Sequence, residues 1–431
     1  MIRALLLPLL LSGANLHANV VEPVRYANRF PGADPCVQMN NAILDLPANG
    51  GTVDARAFGP HLDCSKSGVT LNRPVKLLLG GTAFSWSFTG PLFNITRSGC
   101  SIEGLGRMGS TELQPPAGSA AIYVAPGLES TAIRHLYISG QPSRKPSFAI
   151  QIEAAPSPAN NSTFMLEDVY IVGGFAGIRA VRPINSKLED VRVSATVSDG
   201  FTFVGDGTTV TCINCYANGN GGNGFHVSGI ANATFIGGEA DTNKGDGLLV
   251  DMSSPGVAST GLTLSGLDIE SNERNGIHLV NTGGTSISGS VIINNAADGL
   301  QMCGGRGLTM SGGRIAGNGR GKSAGHGIDL APTDCPYTGS SSATNVAIVS
   351  LLVDVANKAG LMNDPRHVAL SYLSSDESAP STATISLGGA QWGVGSGAPS
   401  GSCTTGSLYT NLAGRKGTTL YVCEGTTWTP K

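Results

Sequence analysis

The hydrophobic and polar positions in the middle of the chain follow one repeated phrase. It reads Asn, two variable residues, Asn or Asp, Gly, and then two apolar residues with any residue between them. Copies begin at Asn220, Asn243, Asn272 and Asn295, and a looser copy with five extra residues begins at Asn318. The phrase glycines recur every 23 to 29 residues, and a period of this length with strand-like units is typical of a solenoid.

Apolar residues around each phrase predict three short strands per coil. Pairs of apolar residues two apart indicate a strand with one buried face. Three residues before the phrase Asn lie Ala217, Ala240, Ile269 and Ile292, and eight before it lie Cys212, Phe235, Leu264 and Ile287. With no helical pattern between them, these units predict an all-β fold, a single-stranded right-handed parallel β-helix. We expect the recurring Asn to stack from coil to coil through its amide.

Both ends of the solenoid carry predicted caps. At the N-terminus, Asp34 suits a helix N-cap and Pro35 its first turn, and the helix stops before Pro47. Its apolar stripe consists of Cys36, Met39, Ile43 and Leu46. Such a helix covers the apolar first coil. At the other end, Cys403 and Cys423 bracket two aromatic-bearing strands, which predicts a small C-terminal disulfide hairpin.

The chain accordingly divides into four segments. These are a signal peptide (1–18), an N-terminal cap with the first coils (19–110), the β-helix (111–395), and a Gly/Ser linker with the hairpin module (396–431). The signal peptide is indicated by Arg3, the apolar run 4–11 and a small-residue tail. We therefore expect a protein that is secreted, periplasmic or at the cell surface, with no membrane span after signal removal.

Composition excludes several classes of protein. Charged residues make up 13% of the chain and hydrophobic residues 40%, which is too apolar for a disordered chain. The 27 Lys and Arg nearly balance the 30 Asp and Glu and form no basic blocks, so we expect no nucleic-acid partner. The 61 glycines suit many turns between buried strands. The oligomeric state is left open.

The nine cysteines are interpreted mainly as structural. An odd number leaves at least one free thiol or one paired outside the chain. The candidate disulfide partners are Cys36 with Cys64, Cys303 with Cys335, and Cys403 with Cys423. Cys212 and Cys215 have the spacing of a redox or zinc motif. The repeat register instead places Cys212 in the core and Cys215 at a bend.

Three stretches, 31–56, 75–81 and 101–106, resemble the start of the pectate-lyase-like superfamily of right-handed parallel β-helix proteins. The resemblance covers roughly residues 26–395 and includes polygalacturonase-like, rhamnogalacturonase-like and tailspike-like proteins. Members include lyases, hydrolases, epimerases and surface proteins that only bind. The resemblance therefore implies the fold and leaves the reaction open.

The residue before each phrase Gly is the first candidate for chemistry. These positions are Asp199, Asn223, Asp246, Asn275, Asp298 and His326. Polygalacturonase-like hydrolases carry an NTD, a DD and a GHG phrase at this place on successive coils. Gly325-His326-Gly327 is similar to the GHG phrase. At the position of the DD phrase this chain has one Asp, Asp298, and at the position of the NTD phrase it has Asn275 in place of Asp. The Arg-x-Lys that follows in that family has no counterpart here.

The resemblance makes Asp298, His326 and Asp246 the candidate catalytic residues. Successive coils lie about 4.8 Å apart, so Asp298 and His326 are expected one coil apart. An inverting glycosidase needs an acid and a base about 6.5 to 9.5 Å apart, and a single Asp with a His does not supply that pair. The alternative is structural, because Asp or Asn before Gly is common turn chemistry.

The outward column between the two inward residues of each phrase is the second candidate. It reads Arg179, Thr202, His226, Leu249, His278, Gln301 and Asp329 and is expected to point to solvent from one sheet. Arg179, His226, His278, Gln301 and Asp329 are the candidate substrate-binding residues; the alternative is a plain solvated face. A lyase acting on uronic acids needs a base and a cation, either Ca²⁺ or Arg/Lys. No compact acidic loop predicts a metal ligand, so Ca²⁺ is a possible cofactor only for a lyase.

The sequence supports two functional hypotheses. The first is an exported carbohydrate-active β-helix protein that binds and cleaves a pectin-like or other acidic polysaccharide as a lyase or glycoside hydrolase. The second is a non-catalytic extracellular surface or adhesion protein. A groove with convergent ionisable side chains would favour the first.

Overall fold

A computed structural model describes most of the chain. The described residues are 23–106, 110–154, 163–254, 256–321, 325–330, 335, 346–353, 362–363, 368–375, 383–387, 390–415 and 417–431. The predicted signal peptide, 1–18, lies outside them. The fold is the predicted all-β right-handed parallel β-helix, with about 12 turns. Among the described residues, no helix has the length and apolarity needed to cross a membrane.

Three parallel sheets form the sides of the solenoid, and sheet 1 contains the phrase strands. Its members are β4 (Val69–Leu71), β7 (Phe93–Ile95), β10 (Ile122–Val124), β12 (Phe148–Ile152), β14 (Ala176–Val181), the first part of β17 (Phe201–Ile213), β19 (Phe225–Ala231), β22 (Leu248–Ser254), β26 (Ile277–Val280), β29 (Leu300–Cys303), β32 (Ile328–Asp329) and β34 (Met362–Asn363). A short strand, β23 (Val257–Ala258), pairs antiparallel with β22.

Sheet 2 follows sheet 1 in each coil. Its members are β1 (Val24–Tyr26), β2 (Gly51–Ala55), β5 (Val75–Leu79), β8 (Ser101–Glu103), β11 (Thr131–Gly140), β13 (Phe164–Gly173), β15 (Ile184–Glu189), the second part of β17, β20 (Thr234–Ile236), β24 (Thr263–Ser265), β27 (Gly283–Ser288), β30 (Arg306–Ser311), β33 (Val346–Val353) and β35 (Val368–Ser375). The predicted apolar column of Cys212, Phe235, Leu264 and Ile287 lies in this sheet, with each residue paired to the next.

Sheet 3 completes each coil. Its members are β3 (His61–Cys64), β6 (Ala83–Trp86), β9 (Glu112–Gln114), β16 (Arg192–Ser194), β18 (Tyr216–Asn218), β21 (Glu239–Asp241), β25 (Asp268–Glu270), β28 (Val291–Ile293) and β31 (Arg314–Ala316), joined by the second parts of β11, β13, β33 and β35. The predicted column from Ala217 to Ile292 is in register and buried. Aliphatic rows therefore fill the interior, as the repeat predicted.

A buried ladder of asparagine side chains joins the coils. Its members are Asn220, Asn243, Asn272, Asn295 and Asn318, each at most 1% exposed. Each amide nitrogen from Asn220 to Asn295 donates to the side-chain oxygen of the next Asn at 2.9 to 3.0 Å. That oxygen also accepts the backbone N–H of the previous Asn at 3.0 to 3.1 Å. The predicted coil-to-coil stacking is therefore confirmed.

The phrase glycines are required by this ladder. A Cβ at Gly247 would lie 2.7 Å from the amide nitrogen of Asn272, and one at Gly276 would lie 2.7 Å from that of Asn295. Backbone and ladder amide thus approach more closely than any side chain allows. The Asn and the Gly recur together because each Gly accommodates the Asn of the next coil.

The N-terminal helix and its staple agree with the sequence. Helix α1 (Pro35–Leu44) begins after Asp34, whose carboxylate accepts the N–H of Val37 at 3.0 Å. A short 3-10 helix, η1 (Ala27–Arg29), precedes it. The disulfide Cys36–Cys64 fastens α1 to β3. This helix covers the apolar end of the first coils.

Four disulfides lie among the described residues. They are Cys36–Cys64, Cys212–Cys215, Cys303–Cys335 and Cys403–Cys423. Cys100 is a buried free thiol. The three predicted pairs are present, whereas the Cys212–Cys215 bond was not predicted. The prediction that Cys212 lies in the core is confirmed. The bend at Cys215 brings the Cα atoms of Cys212 and Cys215 to 5.8 Å from each other.

The C-terminal unit is larger than the predicted hairpin. It is a separate five-stranded sheet of β36 (Ala383–Leu387), β37 (Ala390–Gly395), β38 (Leu408–Asn411), β39 (Leu420–Glu424) and β40 (Thr427–Pro430). Strands β38 and β39 are the predicted antiparallel pair. Strands β36 and β37, which the sequence assigned to the β-helix, pair antiparallel with each other, and β37 also pairs with β38.

Removing one ladder amide is expected to destabilise the solenoid strongly. Asn272→Ala deletes four hydrogen bonds and leaves the buried backbone N–H of Asn243 without its acceptor. We expect a loss of about 3 to 5 kcal/mol in the free energy of unfolding, measured by denaturant titration. The neighbouring exposed Glu273→Ala is the control and should change it by less than about 0.5 kcal/mol. Equal stability of the two variants would contradict the structural role of the ladder.

Candidate functional site

Sheet 1 aligns the predicted outward column, which we call the histidine row. Its members, Arg179, Thr202, His226, Leu249, His278, Gln301 and Asp329, are in register on successive coils. The adjoining positions before the phrase glycines, from Asp199 to His326, form what we call the turn row. Side chains of the two rows contact each other along the solenoid, and these contacts define the site.

The turn row is a second hydrogen-bonded ladder. Each Asp or Asn side-chain oxygen accepts the backbone N–H of the next member of the row. The bonds run from Asn223 to Asp199 (2.7 Å), Asp246 to Asn223 (2.9 Å), Asn275 to Asp246 (2.9 Å), Asp298 to Asn275 (3.1 Å) and His326 to Asp298 (2.6 Å). These residues therefore have a structural role, which matches the turn chemistry considered for them. Each carboxylate retains a second oxygen that faces the histidine row.

Part of the histidine row is buried, in contrast to the expectation that all of it points to solvent. His278 is 5% exposed, Gln301 4% and Asp329 6%. The turn row packs sideways against the first two, because Asp246 contacts His278 and Asp298 contacts Gln301. Arg179 and His226 keep 28% and 23% of their side chains exposed. The solvent-facing prediction is thus wrong for His278, Gln301 and Asp329.

Asp246 lies where no substrate can reach it. Its side chain is fully buried. One oxygen accepts the N–H of Asn275, and the other lies 3.2 Å from Nδ1 of His278. Arg274 approaches it at 3.8 Å with 60% of its own side chain exposed. This geometry lets Asp246 orient the ring of His278; a catalytic role for Asp246 stays a prediction.

His226 is held between two carboxylates. Nδ1 lies 3.5 Å from Asp199 and Nε2 lies 3.3 Å from Asp251. Burial alone would lower the pKa of His226, but the bonds and charges of Asp199 and Asp251 outweigh burial and raise the pKa to about 9. His226 is therefore an imidazolium at neutral pH. Asp251 was not singled out from the sequence, although it is two residues beyond Leu249 on the same strand.

His326 ends the turn row beside two aspartates. Its Nδ1 lies 3.5 Å from Asp298 and 3.9 Å from Asp329, and 24% of the side chain is exposed. Asp298 raises the pKa of His326, partly opposed by burial and assisted by the charge of Asp329. Nδ1 makes no regular hydrogen bond. Nδ1 faces the two carboxylates, so Nε2 lies on the opposite side of the ring.

A buried amide network fixes Asp298. Gln301 donates to Asp298 at 3.3 Å and accepts from the amide of Asn275 at 3.2 Å. Asn275 in turn accepts the backbone N–H of Asp298. Both oxygens of Asp298 accept hydrogen bonds, one from Gln301 and one from the backbone N–H of His326. Gln301 therefore orients Asp298, and only 4% of Gln301 is exposed; its expected substrate-binding role stays a prediction.

Exposed cations line the turn edge beside these buried carboxylates. Lys244, Arg274 and Arg320 are exposed, with Glu273 as an exposed acid among them. Arg179 bonds to Glu153 and lies 5.6 Å from the ring of Phe148. Because Asp246 and Asp298 are buried and hydrogen-bonded, the charges that a large ligand meets first on this edge are mainly positive. Sequence reasoning missed Arg274 and Arg320, since they lie in the variable positions of the phrase.

Among the residues that the structure describes, two groups of side chains have the donor atoms for a metal ion. Donor atoms of Asp298, His326 and Asp329 lie within 4.8 Å of one another. This set contains an imidazole nitrogen and carboxylates already bound to other groups, so it fits a hard cation with six to eight oxygen ligands poorly. Glu239, Asp241 and Glu270 offer only carboxylates, and burial raises the pKa of each. That second group lies on sheet 3, away from the histidine row.

Known structures share this fold. No family model and no curated protein sequence matches the chain. The A-module of the mannuronan C-5 epimerase AlgE4 of Azotobacter vinelandii superposes with a TM-score of 0.63 at 19% identity, covering 82% of this chain and 95% of that one. The A-module of AlgE6 from the same organism gives 0.63 at 18%, covering 83% and 96%. A double mutant of the periplasmic alginate epimerase AlgG gives 0.51 at 14%, covering 74% and 86%.

The position of His226 between Asp199 and Asp251 predicts that the free energy of unfolding falls as the pH rises. The pKa is about 9 in the folded protein and near 6.5 when unfolded, so the folded state binds this proton more tightly. The contribution is complete below about pH 6.5 and is lost as pH rises through 9. We expect His226→Gln to remove about 2 kcal/mol of stability at neutral pH and little near pH 10, measured by denaturant unfolding. His61 is exposed, so His61→Gln is the control. If His226→Gln and the wild type showed the same pH dependence of stability, the two carboxylates would not stabilise the charged form of His226.

Proposed function

We propose that the protein binds an anionic polysaccharide along sheet 1 and its turn edge, and modifies it by acid–base chemistry at His326. The observation that carries the proposal is the His326–Asp298 pair, partly exposed at the end of the turn row. The exposed Arg274 and Arg320 supply cations for the carboxylates of such a chain. Sugar units stacked along the solenoid axis would meet one coil about every 4.8 Å.

The favoured reaction is proton abstraction from the carbon beside a uronate carboxylate. A base of this kind needs an accessible nitrogen, which His326 has, and a nearby cation, which the turn edge has. Hydrolysis needs a carboxylic acid that can reach the glycosidic oxygen. Asp298 is 8% exposed at its side chain and accepts hydrogen bonds at both oxygens, so it is poorly suited to give a proton to a leaving group.

We expect the protein to act outside the cytoplasm. Four disulfides in one chain suit an oxidising compartment, and the N-terminal segment suits export. Mannuronan is the first anionic glycan to test, because two of the structures with this fold are epimerases named for it. Polygalacturonate and rhamnogalacturonan follow, as the sequence resemblance implies.

The deciding experiment incubates each polysaccharide with the protein in deuterated water. Proton abstraction is expected to place deuterium in the sugar, with ultraviolet absorbance of a new double bond for a lyase and inverted stereochemistry by NMR for an epimerase. Reducing ends without either signal would indicate hydrolysis. We expect His326→Gln to lower the rate at least about 100-fold, because the amide cannot accept the proton. His135→Gln is the matched control, since His135 also contacts an aspartate, Asp168, at 3.1 Å, but in β11.

The outcomes separate the hypotheses. Binding without turnover by the wild-type protein would support the non-catalytic surface protein and refute the enzyme. Full activity in His326→Gln would refute this residue as the base. Absence of both binding and turnover across the three glycans would contradict the proposal as a whole.

The pH dependence of the reaction provides a further prediction. Since Asp298 raises the pKa of His326, the neutral base forms at a higher pH than it would for an unperturbed imidazole. The rate should therefore rise with pH through that raised value. Asp298→Asn keeps an oxygen for the N–H of His326 but removes the charge, so the rising limb should move to lower pH. A pH–rate profile measures this shift, and an unmoved limb would show that Asp298 does not control the base.

A further inference from the structure

An aspartate, a histidine and a disulfide sulfur lie in line across three consecutive coils of sheet 1. Nε2 of His278 is 3.7 Å from Sγ of Cys303, and Nδ1 of His278 is 3.2 Å from Asp246. All three residues are at most 5% exposed. Neither Asp246 nor His278 is available to a polysaccharide, so this arrangement is separate from the proposed function.

The hydrogen bonds fix how the imidazole is oriented. Asp246 accepts the N–H of Asn275 at 2.9 Å with one oxygen, so its other oxygen meets Nδ1 of His278 as an acceptor. Nδ1 therefore carries a hydrogen in every charge state of the ring. Nε2 is left facing the sulfur, where it can give a proton to a departing thiolate or accept one from a thiol.

We propose that Cys303–Cys335 is a thiol–disulfide exchange site, opened by a dithiol reductant and assisted by His278, which Asp246 positions. Cys335 is partly exposed whereas Cys303 is fully buried, so attack falls on Cys335. Asp246, His278 and Cys303 reproduce the order of acceptor, proton carrier and sulfur that stabilises a thiolate elsewhere.

The exchange balances in two steps. A thiolate of the dithiol bonds to Sγ of Cys335, the Cys303–Cys335 bond breaks, and its electron pair goes to Sγ of Cys303, which takes the Nε2 proton of the His278 imidazolium. The second thiol of the reductant then attacks the mixed disulfide and releases Cys335. Two electrons pass from the dithiol, which becomes a disulfide, to the protein, which gains two thiols; His278 recovers its proton from solvent.

The chain contains a matched disulfide without this assistance. Cys403–Cys423 also joins a partly exposed to a buried cysteine, since Cys423 is 1% exposed. Sγ of Cys423 lies 3.7 Å from the carbonyl oxygen of Gly425. Within the described part of the chain, no histidine lies against the sulfurs of the other three disulfides. Cys403–Cys423 therefore serves as the internal control.

The experiment measures the opening of each disulfide in the folded protein. The whole chain is exposed to dithiothreitol without denaturant, thiols are trapped by alkylation at intervals, and each cysteine is quantified by peptide mass spectrometry. We expect Cys303–Cys335 to open faster than Cys403–Cys423 in the wild type. His278→Gln keeps a donor for Asp246 but cannot transfer a proton, so it should slow opening of Cys303–Cys335 at least about tenfold. Opening of Cys403–Cys423 should stay within about twofold.

Two further variants keep the result interpretable. His135→Gln changes a histidine of β11 that contacts Asp168, outside the histidine row, and it should leave both opening rates unchanged. Asp246→Asn replaces the aspartate with a side chain of the same shape and should slow only Cys303–Cys335; it serves if His278→Gln fails to fold, as judged by circular dichroism. Equal opening of the two disulfides in the wild type, or an unchanged rate in a folded His278→Gln protein, would overturn the proposal.

Discussion

The stacking of buried asparagine amides is the constraint on which the rest of the structure depends. Each amide of the ladder bonds the coil before it and the coil after it, and the backbone N–H of each ladder residue joins the same chain of bonds. A buried amide that lost these partners would leave several polar groups unsatisfied, so every coil is held to one register. Side chains at equivalent positions must then lie above one another. The rows on the outside of sheet 1 follow directly from this interior constraint.

The same type of bond determines the chemistry of the outer face. In the turn row, an aspartate oxygen accepts a backbone N–H from the next coil, and this contact aims the second oxygen at the neighbouring row. Asp246 and Asp298 are consequently buried as acceptors, whereas the arginine at 274 extends into solvent. A turn built from acidic residues thus presents imidazole and guanidinium groups to a ligand. The local charge at the surface differs from the charge counted along the sequence.

Much of the fold could be predicted because one Asn and one Gly per period leave few alternatives. The inward columns, the cap at Asp34 and three disulfides follow from residues within one coil or from simple spacing. Burial of His278 and Gln301 could not be predicted this way, since it results from sideways contacts between two rows on neighbouring coils. The Cys212–Cys215 bond depends on the bend between sheets 2 and 3. Residues 383–395 alternate apolar side chains as a coil strand does, so their sequence does not distinguish parallel from antiparallel pairing.

The position of His326 explains why the end of the turn row is where chemistry is expected. Every earlier member of the row is an Asp or Asn whose oxygen accepts the next backbone N–H, and this bond occupies it. The phrase containing His326 carries five extra residues before its glycine. Among the described residues His326 is the last member of the row, and Asp298 lies 3.5 Å from Nδ1 of its ring. An imidazole in place of the Asp or Asn of the earlier coils thus gives this turn position a partly exposed group whose pKa is raised by a neighbouring aspartate.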